Sequence, residues 1–146
     1  MKEKSVLFCT VAVWLCLLLL AALCVFTPRL LTIYMDFRAL PYNIYIVILI
    51  AFYICCVPSA AALICLLRML GNIRRQQMFC DANTKLLRIV SWCCLAVAGE
   101  CFAAGFWYFP LFFLTAAMLF LFLIVRVVVS LMAAGVALQE ENNLTI

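Results

Sequence analysis

The chain has no histidine. It therefore lacks the side chain that most readily moves protons near neutral pH, and one of the usual partners of cysteine in zinc sites. Charge is scarce too. Lys and Arg number 10 and Asp and Glu 6, so that 11% of the 146 residues are charged, against about 25% in a soluble domain. The sequence holds no glycine-rich phosphate loop, no paired carboxylates at a polar site and no nucleophile beside a base. These absences argue against an enzyme and against a resident metal or cofactor. The few cations in any one polar segment also give too little phosphate affinity for direct nucleic-acid binding.

Apolar length is what the chain has instead. Hydrophobic residues make up 71% of it, against about 45–50% in soluble proteins, so the expected solvent for most of its surface is a lipid bilayer. Val6–Phe26 and Tyr42–Leu67 carry no charge, and Ile89–Ala137 carries only Glu100 and Arg126. A spanning helix needs about 20 apolar residues, and Pro110 splits the last run in two. Barrel strands would alternate polar and apolar residues, which these runs do not. The expectation is an all-α membrane protein, one domain over 1–146, with four transmembrane helices at about 6–26, 42–70, 86–109 and 111–137. A loop at 71–85 and a tail at 138–146 complete it. The first run is longer than a signal-peptide core of about 7–15 residues and is expected to stay as a span.

Lysine and arginine set the expected orientation. Lys2, Lys4, Arg68, Arg74, Arg75, Lys85 and Arg88 fall on one side, and Arg29 and Arg38 on the other. The positive-inside rule then puts both termini in the cytoplasm of a multi-pass cell-membrane protein. Tyr42, Tyr45, Trp107, Tyr108 and Phe109 fall at the outer interface, where amphipathic rings settle.

Most of the ten cysteines lie inside the predicted spans and read as small, soft hydrophobes. Cys80 differs, standing in the polar loop near Arg74 and Arg75, where cations can lower a thiol pKa. Glu100 and Arg126 are the two charges within the spans. Counted from Pro110 their depths differ by roughly 9 Å, and their side chains lean toward one another. A structural pair, separate snorkelling of Arg126, and a transport or proton-relay path are the three readings. An earlier turn, at Gly105, would lift Glu100 toward the outer surface. Pro58 is expected to kink helix two and free the carbonyl of Ile54. Gly71 and Asn72 suit a helix end, and Asp81 suits a helix cap. Among the loop and tail residues, Arg74, Arg75, Glu140, Glu141, Leu144 and Ile146 are the candidate contacts for a cytoplasmic partner.

"IRRQQMFCDANTKLLRIVSW", Ile73–Trp92, and the closing "LQEENNLTI" resemble the loop and tail signatures of the family called domain of unknown function 2975. Asn143 stands where that family usually has aspartate. The resemblance implies a bacterial inner-membrane protein without an established reaction, often encoded beside a small helix-turn-helix transcription regulator. Two readings follow. The first is a non-enzymatic regulatory or scaffolding protein that holds such a regulator through loop 71–88 and the tail. The second is a small transporter or channel subunit that works as a homo-oligomer, with Glu100 and Arg126 in the path.

Overall fold

The structure is a computed structural model and describes residues 2–145. It is all-helical: α1 (Lys2–Arg38), α2 (Tyr42–Arg74), α3 (Asp81–Gly105) and α4 (Leu111–Leu144). All four are long and apolar enough to cross a membrane.

Every helix departs from its expected bounds. α1 runs on through Pro28 to Arg38, so Arg29 and Arg38 lie on a helix and not in a loop. Proline has no N–H to give the carbonyl four residues back. That carbonyl belongs to Cys24, and the Tyr53 hydroxyl of α2 donates to it at 2.9 Å. A side chain from the next helix thus replaces the missing bond.

α2 passes through Gly71 and Asn72, the expected stop, and ends at Arg74. Gln76 takes the left-handed conformation with φ 62°. The Gln77 N–H then reaches the Asn72 carbonyl at 3.1 Å and the Gln76 N–H reaches that of Ile73 at 3.0 Å. This is the Schellman closure, made on glutamine rather than glycine. α3 starts at Asp81, five residues before the expected boundary, with Cys80 at the N-cap position and no side chain capping it. Asp81 is therefore not the cap. It sits in the first turn, where the helix dipole favours a carboxylate.

α3 also ends early, at Gly105, and 106–110 form the turn to α4. The Phe112 ring lies over Gly105, where an added Cβ would come within 3.0 Å of it. Phe102, Phe106, Phe109 and Phe113 join Phe112 in edge-to-face pairs with centroids 5.3–5.9 Å apart. α4 continues through most of the expected tail to Leu144, since after Gly135 the sequence holds neither glycine nor proline to stop it.

The helices pack in chain order, α1 on α2, α2 on α3 and α3 on α4. Among the described residues α1 and α4 do not meet at helix-packing distance. α3 lies inside the row and supplies most of the core: Leu87, Val90, Val97, Ala98, Cys101 and Ala104. The outer helices add Leu31 and Met35 from α1 and Val129 and Met132 from α4. An apolar cavity of about 340 Å³ sits between all four helices, bordered by Leu20, Pro58, Ala62, Cys94, Val97 and Met118.

Candidate functional site

Two regions gather the polar side chains. The first is a layer across α1, α2 and α3. The thiols of Cys24 and Cys56 lie 3.3 Å apart. One residue along α2, the Cys55 thiol donates to Glu100 Oε2 at 3.0 Å. Cys101, next to Glu100 on α3, is buried. Ser59 donates to the Cys55 carbonyl at 2.7 Å, just after Pro58. Among the described residues no three groups of His, Cys, Asp or Glu type gather as metal ligands.

Glu100 is half-buried on the α2 side of α3, and its partner is Cys55. Arg126 is exposed on α4, its guanidinium carbon 6.0 Å from the centre of the Phe122 ring one turn back on the same helix. Of the three readings of these charges, the structure does not show the pair: Glu100 bonds Cys55, and Arg126 lies by Phe122. With α3 ending at Gly105, Glu100 is five residues from its helix end and Arg126 fifteen from the start of α4. At 1.5 Å per residue the difference is about 15 Å, beyond the reach of the two side chains.

The second region is the α2–α3 connection, residues 75–80. It is built rather than loose. Asn83 is completely buried and organises it. Its side-chain nitrogen donates to the carbonyls of Gln77 at 3.1 Å and Met78 at 3.0 Å, and its oxygen accepts from Asn72 Nδ2 at 2.9 Å. One side chain thus ties the end of α2, the connection and the start of α3. The Phe79 ring then rests on Gly135 of α4, where an added Cβ would lie 2.5 Å from Phe79 Cδ1. Gly135 is the notch into which the connection docks. Asn83 did not stand out in the sequence, while Gly135 falls in the small-residue run "SLMAAGVA" that suits close packing. The one available signal for Asn83 was an asparagine near a helix start, where this residue commonly bonds local backbone.

Of the candidate contacts, Arg75, Glu140, Glu141 and Leu144 are exposed. Glu140 and Glu141 are on the last turns of α4 rather than on a free tail. Arg74 is exposed at the end of α2 and borders a cavity against the first turns of α1. Ile146 lies outside the described residues. At the opposite end of the molecule the Tyr34 and Tyr108 hydroxyls share a hydrogen bond of 2.5 Å, which joins α1 to the α3–α4 turn.

Residues 32–146 match the family described as Protein of unknown function (DUF2975). No curated protein and no solved structure matches the chain.

Proposed function

The chain belongs to the DUF2975 family, and from that premise we propose a non-enzymatic membrane protein that regulates or scaffolds a cytoplasmic partner. The carrying observation is the α2–α3 connection. A six-residue link that merely joined two spans would need no buried asparagine and no aromatic anchor on a third helix. Ordering it in advance lowers the entropic cost of binding. The connection presents Arg75, Gln76 and Gln77 outward. α4 presents Glu140 and Glu141 from the same end of the molecule, as Phe79 on Gly135 requires. The partner that fits this reading is a small helix-turn-helix regulator.

Helix lengths support the placement in a bilayer. Arg88 lies 17 residues before Gly105, and Arg126 lies 15 after Leu111, or about 22–26 Å from the aromatic turn. Both are exposed. The aromatic turn marks one face of a hydrocarbon core of about 30 Å, and both arginines lie a few ångströms inside the other, within snorkelling reach of it. Arg126 then snorkels to the inner headgroups, and both termini face the cytoplasm of the inner membrane. The transport reading is weaker, because its two charges do not share a path.

The test is co-purification in mild detergent, with and without residues 140–146. A transcription regulator that comes with the full chain and is lost on truncation supports the proposal. Unchanged interactions and unchanged regulatory output on truncation would sink it.

A further inference from the structure

A cavity of about 660 Å³ lies between the start of α1 and the end of α2. That volume is within the roughly 300–1,000 Å³ of small-molecule sites. Its two halves differ in chemistry. Val6, Leu7 and Val11 of α1, with Ile73 and Met78, make an apolar side. Glu3 and Arg74 border it where the apolar run of α1 gives way to charge. Among the described residues no ion pair joins these two opposite charges, although they border one cavity. A carboxylate and a guanidinium that border one cavity without pairing suit a zwitterion with an apolar tail.

We propose that this cavity binds the headgroup of a zwitterionic phospholipid bearing a primary ammonium, with the phosphate at Arg74, the ammonium at Glu3 and the acyl chains along Val6, Leu7 and Val11. Guanidinium matches phosphate oxygens in a bidentate manner. The carboxylate accepts from the ammonium and disfavours a purely anionic headgroup. The cavity shares Arg74, Gln76 and Met78 with the partner-facing end, but the proposal does not need the regulatory reading, and its test reads bound lipid and not a protein partner.

The test uses the full chain reconstituted in nanodiscs of equal parts phosphatidylethanolamine and phosphatidylglycerol. Native mass spectrometry then counts the lipids retained after transfer to detergent. The wild type is expected to retain phosphatidylethanolamine about fivefold over phosphatidylglycerol, the ratio that one partly exposed charge pair gives. Glu3→Gln should bring the two lipids to parity. Arg74→Gln should lower retention of both. Val11→Trp, which fills the apolar side and leaves both charges in place, should also displace both. Helicity and melting of each variant report whether it folds. A wild type that retains no lipid, or prefers the anionic one, overturns the proposal without reference to any variant. So does a folded Glu3→Gln with the selectivity of the wild type.

Discussion

Cys24 receives a hydrogen bond that its own helix cannot supply. Pro28 leaves its carbonyl free, and the Tyr53 hydroxyl takes the vacant place. In lipid no water stands ready to do so. Tyr53→Phe keeps the ring and removes only this bond. The expected cost is about 1 kcal/mol, within the range of interhelical hydrogen bonds in membranes. It is read as a lower unfolding midpoint in a micellar denaturant titration. An unchanged midpoint would mean that the carbonyl finds another partner. Glu100 belongs to the same scale. Its type was plain in the sequence, but its partner was not. Ten cysteines on mostly apolar faces look alike until the packing of α2 on α3 selects Cys55.

At the scale of elements, the α2–α3 connection is a short segment held by one buried residue. Asn83→Ala would remove its three side-chain hydrogen bonds and leave the carbonyls of Gln77 and Met78 without them. Hydrogen bonds of this kind contribute about 0.5–1.5 kcal/mol each, so the connection should open before the helices do. Amide exchange of 75–80 should rise by at least tenfold, while exchange in the middle of α3 changes little. Equal protection in both proteins would show that Phe79 on Gly135 holds the connection by itself. The helix ends show how far local signals reach. The sequence at Gly71–Asn72 reads as a stop, and on its own it would be one. The helix passes because Asn72 is engaged: its side chain bonds Asn83 and its carbonyl closes the turn on Gln77. A non-glycine residue at positive φ costs about 1–2 kcal/mol. At Gln76 the turn's own closing bonds, Gln76 N–H to Ile73 and Gln77 N–H to Asn72, work against that cost.

For the whole molecule, the Tyr34–Tyr108 bond spans the longest gap in the row, from α1 to the turn between α3 and α4. The hydrogen bond to Tyr34, and then burial, hold the Tyr108 hydroxyl above the ordinary tyrosine range, with Arg38 opposing. The raised folded pKa favours the neutral form. Its stabilising contribution is therefore fully present below the unfolded value of about 10 and is lost as pH rises through the folded value. Wild-type melting in detergent should fall across that alkaline window. Tyr108→Phe should start about 1 kcal/mol lower and show a smaller alkaline fall. Parallel pH profiles for the two proteins would remove the pair as a tie between α1 and the α3–α4 turn.

Composition and run length determined the class and the number of helices, because lipid solvation acts on every residue and leaves its mark along the whole chain. Pro110 marked the division of the last run for the same reason, since the missing N–H is a property of the residue itself. Tertiary structure decided which charge has which partner, that α1 and α2 run past their expected ends, and that the turn falls at Gly105, one of the two places the sequence allowed. Pro28 is tolerated because Tyr53 is near, and Glu100 misses Arg126 because the end of α3 at Gly105 shifts their depths apart. Each outcome depends on a group distant in sequence, and the balance at each is about 1 kcal/mol, too small and too remote for a local pattern to show.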